Sequence, residues 1–393
     1  MARPTLTRQG VAVIGAAAAA ITIGRVFAII ELFVIGAGFL AAVLVAVAYV
    51  WIRRPKVDAH RWIHPSTLVA GDTGHVDIQL QHTGHFATPP FVLEEPVVRT
   101  MTDDHVARLP VAALRAGSVS SSGYRVPTAT RGVVGLGPLK LTVSDVLGVA
   151  RSTVLIAGTS EIVVAPRTLV IDMPELGRGT LGRALLESSR RLGPGDFHGL
   201  REYAAGDELR SIHWRASART DDLMVKEFTV EGLQRCTVVF DPSLAAHGTN
   251  SNFEHGVTAA ASLVSSAMRA GLNTRFVTAG GIDLRGPEVA HTTQRVLARI
   301  EPSDVPIVAV DNDMADGLLL LIVVTGSRHT ASWRATSAIS DPTITPVLVA
   351  TNEASDAHHL SVSAGSDDEF VAGWQSLVGE PRPSQHPTLV AFP

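Results

Sequence analysis

The apolar positions of this chain change their period twice, and each change marks a different kind of structure. Residues 32–52 are twenty-one positions without a charge, rich in Leu, Val, Ala and Phe. As a helix they would extend about 31 Å, the thickness of a bilayer's hydrocarbon core. A second uncharged run, residues 10–24, precedes them and is extended by residues 26–30, with Arg25 and Glu31 between the two runs. Arg25 at mid-bilayer would cost roughly 2.5–3.5 kcal/mol. The pattern therefore predicts two antiparallel helices with a turn around residues 25–31. Arg3 and Arg8 flank the first helix, and Arg53, Arg54 and Lys56 follow the second. Basic flanks at both ends place them in the cytoplasm, with Tyr49 and Trp51 at the interface. A signal peptide is the alternative for the first run, although the second run would still tether the product.

From residue 57 to 166 the period becomes two. Val76, Ile78 and Leu80 alternate with polar neighbours, and residues 139–144 repeat the alternation. Turn signals recur at residues 71–74, 83–84, 89–90, 116–118, 135–138 and 144–145. Short strands broken this often predict an antiparallel β-sandwich of immunoglobulin-like type. Arg131 and Asp145 read as turn-flanking residues that satisfy backbone donors.

After Lys226 short buried runs alternate with helical spacing. Residues 237–240, 274–278, 318–324, 346–350 and 389–392 are expected strands. Residues 252–269, 287–300 and 367–378 are expected helices. Such alternation predicts a doubly wound parallel sheet covered on both faces, with ligands met at the carboxyl ends of the strands. At 393 residues with 46% hydrophobic residues, the chain has room for two or three domains. A net charge of −4 gives no footprint for nucleic acid. A single cysteine, Cys236, excludes an internal disulfide. Two spans without a mid-bilayer charge make a poor transport pathway.

Only 18% of the chain is charged, yet residues 195–219 concentrate Arg201, Glu202, Asp207, Arg210, His213 and Arg215 with Tyr203 and Trp214. Gly195, Asp196, Phe197, Leu200, Arg201, Tyr203, Gly206, Asp207, Arg210, Ile212, Trp214, Ala218 and Arg219 follow a fixed spacing. That spacing resembles the signature of the bacterial family called domain of unknown function 58. The resemblance extends to residues 124–150, including Arg131, Gly132, Leu136, Gly137 and Pro138. It implies a membrane hairpin, a body with a von Willebrand factor A-like domain, and association with MoxR-type AAA+ ATPases. Asp241, Pro242 and Ser243 also resemble the start of the metal-ion-dependent adhesion motif of von Willebrand factor A domains. There, an Asp and two Ser hydroxyls help hold Mg²⁺. Ala245 replaces the second Ser here, so no metal or other cofactor is expected and a solvated turn is the simpler reading. No glycine-rich phosphate loop follows this strand.

The expected architecture is a two-helix membrane anchor over residues 1–56, a β-sandwich over 57–166, a signature segment over 167–231, and a von Willebrand factor A-like α/β domain over 232–393. Within the signature, Asp207 is placed to cap a helix over residues 208–217 with Leu209, Ile212, His213 and Ala216 on one face. The three arginines 201, 210 and 219 match the acceptors Asp196, Glu202, Asp207 and Glu227. This reads as a joint between domains, a protein-docking patch, or both. The expected function is that of a cytoplasm-facing membrane scaffold without catalysis, acting on an AAA+ ATPase and client proteins. The alternative is a metal-dependent hydrolase using His198, Glu202 and His213. Their spacing matches no known ligand motif, and Ser211 and Ser217 lack a nucleophile elbow.

Overall fold

A computed structural model describes residues 4–65, 68–99, 102–191, 197–204, 212–219, 222–228, 233–303, 319–339, 341, 344–354 and 360–379. The chain divides into two compact units, residues 1–165 and 166–393.

The first unit opens with a short strand, β1 (Thr5–Leu6), and two helices, α1 (Arg8–Val26) and α2 (Ile30–Ile52). Both helices are long and apolar enough to cross a membrane. Gly10, Ala17 and Gly24 form the buried line of α1; Gly36, Val43, Ala46 and Val50 form that of α2. Small residues at seven-residue spacing let two helices approach closely. At Gly36 an added Cβ would lie 2.9 Å from the carbonyl oxygen of Ala17. The outer faces leave Phe33, Val34, Phe39, Leu44 and Val45 exposed.

Ten strands follow: β2 (Val57–His64), β3 (Leu68–Val69), β4 (Gly74–His82), β5 (Phe91–Arg99), β6 (Thr102–Val111), β7 (Val119–Val126), β8 (Gly132–Leu136), β9 (Leu139–Ser144), β10 (Ala150–Ala157) and β11 (Ser160–Ala165). The larger sheet has the order β1-β10-β9-β5-β8-β11-β3, with β6 also paired to β5; the smaller is β2-β4-β7. Pairing is antiparallel except between β11 and β3. Alternation along β4 buries Val76, Ile78 and Leu80 against Leu93, Val134, Leu136 and Leu141 of the larger sheet. Asp145 takes the expected turn role: its carboxylate accepts from Leu147 N at 2.8 Å and Ala150 N at 2.6 Å.

The second unit contains α3 (Gly179–Arg191), β12 (Phe197–Glu202), α4 (Trp214–Ser217), β13 (Met224–Phe228), β14 (Arg235–Phe240), α5 (Leu244–His247), α6 (Asn250–Arg269), β15 (Asn273–Thr278), β16 (Ile282–Arg285), α7 (Val289–Arg299), β17 (Leu319–Thr325), α8 (Ala331–Ser337), β18 (Ile344–Ala350), β19 (Ser361–Ser363) and α9 (Asp367–Val378). Its main sheet has the order β16-β15-β14-β17-β18-β19. Two departures from the expected layout appear. The antiparallel strand β16 adds an edge to an otherwise parallel sheet, and the far edge is β19, while residues 389–392 lie outside the described residues. Strands β14, β17 and β18 are buried on both faces, as fully apolar runs such as Val238–Phe240 require. Helix α3, absent from the sequence reading, adds Leu181 and Leu185 to the same core.

A charged network joins the two sheets of the first unit. The Arg61 guanidinium on β2 pairs with Glu95 on β5 and bonds Ser160 on β11, while Tyr124 Oη on β7 donates to Glu95 Oε2 at 2.9 Å. Glu95 is 1% exposed. Burial pushes its carboxyl above the ordinary range, opposed by the Tyr124 hydrogen bond and the Arg61 charge. Removing one partner strands the other charge. Glu95→Ala should therefore cost about 3–5 kcal/mol, and Tyr124→Phe about 1.5–3 kcal/mol, in urea unfolding of the detergent-solubilised full chain. A Glu95→Ala loss no larger than that of Tyr124→Phe would show that the network does not bridge the sheets.

Candidate functional site

Two places in the second unit gather the residues singled out from the sequence. The first is a hairpin in which β12 pairs antiparallel with β13, with a register shift between Phe197 and Gly199 where His198 sits. The expected helix over residues 208–217 is not what forms at its described end. Ile212 is buried and bridges Val225 in extended conformation, and His213 N donates to Met224 O at 2.7 Å. Strand pairing to β13 outcompetes helical spacing there. Among the described residues of that span only α4 is helical, and its cap is His213, whose Nδ1 accepts from Ala216 N at 3.0 Å. Ser217 Oγ accepts from Met224 N at 2.8 Å, pinning α4 to β13.

Gly195, Asp196, Gly206, Asp207 and Arg210 lie outside the described residues, so the expected Asp207 cap does too. Phe197, Leu200 and Arg201 fall on β12, and Tyr203 follows it with its N–H on Leu223 O. Trp214 is 66% exposed, with Leu200 and Leu223 also exposed; Arg201, Arg215, Ala218 and Arg219 are exposed as well. Of the hydrolase candidates, Glu202 is exposed and His213 caps α4 through its ring. Among the described residues no cluster of three His, Cys, Asp or Glu side chains could hold a metal ion.

The second place is the crevice above β14 and β17, where the strand order reverses direction and doubly wound sheets bind ligands. Asp241 follows β14 there. It is not part of a solvated turn: it is 4% exposed. Its Oδ1 accepts from Ser243 N at 3.0 Å, and its Oδ2 accepts from Thr325 Oγ1 at 2.9 Å and Ser332 Oγ at 2.7 Å. Three donors thus replace the water that a buried carboxylate needs. Ala245 supplies no oxygen, and the Ser243 contribution is a backbone N–H, so the donor set differs from a magnesium cradle at two positions. The strand ends are interlaced: Asp241 N donates to Val324 O, Thr351 N to Thr325 O, and Asn352 N to Gly326 O. Gly326 is required by close approach, since a Cβ there would sit 1.6 Å from Ala246 O.

His247 completes this crevice and is fully buried. Its Nε2 lies 2.7 Å from Asp241 O, so Nε2 carries the proton and donates; Nδ1 lies 2.6 Å from Thr351 Oγ1 and accepts. The neutral ring satisfies both contacts. Burial depresses its pKa below the ordinary 6.5, opposed by the Asp241 carbonyl and charge. Thr325, Ser332 and His247 were not read from the sequence. The available signal was position: Thr325 ends the buried run beside β14, and His247 lies six residues past Asp241.

These features define a class: a doubly wound α/β unit with a capped switch-point crevice, in one chain with a β-rich unit and two apolar helices. The particular family follows from comparison. Residues 199–307 match the family described as "Protein of unknown function DUF58", so the resemblance carried by the signature holds over this part of the chain. No curated protein matches. Solved structures are similar only at the level of pieces. A β-glucosidase from Erythrobacter marinus is 11% identical with a TM-score of 0.21 over 28% of this chain and 15% of that one. The Pseudomonas fluorescens alkylpurine DNA glycosylase AlkC is 13% identical, TM-score 0.23, over 38% and 46%. The CARDB domain of the Pyrococcus furiosus protein PF1109 is 9% identical, TM-score 0.19, over 28% and 88%. The chain spans less than half the length of the first two, and likenesses this low carry no functional argument.

The buried imidazole sets a pH dependence. The unfolded chain binds a proton that folded His247 resists, so its contribution is fully present above about 6.5 and lost as pH falls below that value. Chemical denaturation at pH 7.5 and 5.5 should show the α/β unit weaker at the lower pH. His247→Gln should flatten that difference; an equally steep profile in the variant would assign it to other groups.

Proposed function

We propose that this protein is a membrane-anchored scaffold that recognises other proteins, with a MoxR-type AAA+ ATPase as its partner. The observation that carries the reading is Trp214, two-thirds exposed on a hairpin held by His213 and Ser217, on which Leu200, Leu223 and the arginines 201, 215 and 219 are exposed as well. Exposed Trp and Arg on a rigid support are the residue types that dominate protein interfaces. The helical hairpin supports the anchor, and exposed Arg8, Arg53 and Lys56 at its ends support a cytoplasmic body. The strand order supports a von Willebrand factor A-like α/β domain, and the two packed sheets an immunoglobulin-like sandwich. The inward hydrogen bonds of Asp241 support a crevice that organises loops without a resident metal or a catalytic step.

The test is binding of the purified full chain in detergent to a MoxR-type AAA+ ATPase from the same organism, in each nucleotide state. Trp214→Ala should weaken binding about 30-fold, the loss of a hot-spot residue, while changing folding stability by no more than about 0.5 kcal/mol. Equal affinity of the variant, or no binding by the parent in any nucleotide state, would defeat the proposal.

A further inference from the structure

The turn between β9 and β10 carries the most exposed large apolar side chain among the described residues. Val146 is 95% exposed and the adjacent Leu147 is 64% exposed. A lone exposed Val on a protein surface requires no explanation, but the position of this pair does. Val149 and Ala150, immediately after the turn, pack against Ala46 and Val50 of α2, with Val13 of α1 alongside. Ala46 lies six residues before the end of α2, about 9 Å along its axis. The Val149 carbonyl oxygen approaches α1 so closely that a Cβ at Gly10 would lie 2.1 Å from it. The turn therefore stands beside the first turn of α1 and the last two turns of α2, where the apolar stretches of the helix pair meet its basic ends.

Most of the backbone groups at the base of the turn are satisfied internally. Leu147 N and Ala150 N donate to the Asp145 carboxylate, Gly148 N donates to Asp145 O at 3.1 Å, and Asp145 N to Ala150 O at 3.1 Å. Thr7 donates twice, from Oγ1 to Gly148 O at 2.6 Å and from N to Val149 O at 3.0 Å. The Asp145 side chain is buried beneath the tip. Satisfying these groups internally lowers the cost of bringing the turn to the depth of the upper acyl chains, next to the headgroups that can serve the tip. Around the same place Leu6, Val11, Trp51 and Ile52 are exposed, as are Arg8, Arg53, Lys56 and Arg151. Apolar side chains ringed by basic ones match acyl chains below anionic headgroups.

We propose that the 145–148 turn is a hydrophobic finger that enters the bilayer beside the helical hairpin and holds the β-rich unit flush on the lipid surface. The occupant of the exposed pair is lipid, at the depth of the upper acyl chains. This rests on the reading of the two helices as a membrane anchor, and the test separates the two.

The single native cysteine, Cys236, is buried and its thiol is pushed up to about 12 by that burial, so introduced cysteines label selectively. Val146→Cys, Leu147→Cys, Phe39→Cys on the outer face of α2, and Thr73→Cys in the exposed turn between β3 and β4 each receive an environment-sensitive NBD label. The full chain is reconstituted into vesicles of phosphatidylcholine and phosphatidylglycerol. Labels at 146 and 147 should show blue-shifted emission, lose quenching by aqueous iodide, and gain quenching by lipid spin-labelled near the headgroup; the label at 73 should remain iodide-accessible. If 39 is shielded but 146 and 147 are quenched by iodide like 73, the finger is overturned and the anchor stands. If 39 itself is quenched by iodide, the anchor falls and the finger with it. Labels at 146 and 147 shielded from both quenchers would mean a protein surface covers the turn, which also overturns the proposal.

Discussion

A carboxylate taken out of water needs donors in place of the water, and Asp241 is where the α/β unit meets that demand most acutely. Strands β14 and β17 are buried to their last residues, Phe240 and Thr325, so the chain leaves the sheet at Asp241 with a carboxylate already inside. Ser243, Thr325 and Ser332 converge on it from the loop after β14, the end of β17 and the first turns of α8. Once those bonds form, the three connections have little freedom left. His247 follows from the same demand, because the Asp241 carbonyl it satisfies is the next polar group in line. At the strand ends where such a sheet normally meets a ligand, the Asp241 carboxylate is thereby engaged in holding its own loops.

The β-rich unit solves a related problem with a pair. Glu95 sits between two sheets with Arg61 on one side and the Tyr124 hydroxyl on another. Burial and the Glu95 charge push the tyrosine pKa up, so its hydroxyl stays protonated and remains a donor. Ion pairs of this sort add modest net stability compared with apolar packing, but they penalise any arrangement that separates the partners. Alternating strands pack in many registers; the register that joins Arg61 to Glu95 also brings Tyr124 and Ser160 to them.

Where a pattern is local, the sequence was readable. The alternation through Val76, Ile78 and Leu80 became β4, the apolar run before Asp241 became β14, and the spacing in residues 252–269 became most of α6. The two N-terminal helices end within a few residues of where Arg8, Arg25, Glu31 and Arg53 place them. Where partners are distant, it was not. Thr325 and Ser332 lie 84 and 91 residues from Asp241, and Arg61 lies 34 from Glu95. No spacing rule connects such positions. Ile212, within the helix expected over residues 208–217, shows the opposite failure: Ile212, His213 and Ala216 fall on one helical face, yet Ile212 had a strand to pair with, and of the described residues only 214–217 are helical. Short amphipathic stretches carry both possibilities until a tertiary partner selects one.

The two-residue strand at the very start of the fold alters what counts as the body of this protein. Thr5 and Leu6 lie along β10 opposite Arg151 and Ala150, ahead of the helices and yet part of the sheet beyond them. The β-rich unit is therefore threaded around its own helix pair, with one edge supplied from upstream of α1. A soluble version trimmed to begin at β2 would lose that edge along with the helices, leaving the open side of β10 and the Val149 and Ala150 side chains bare for another chain to pair with.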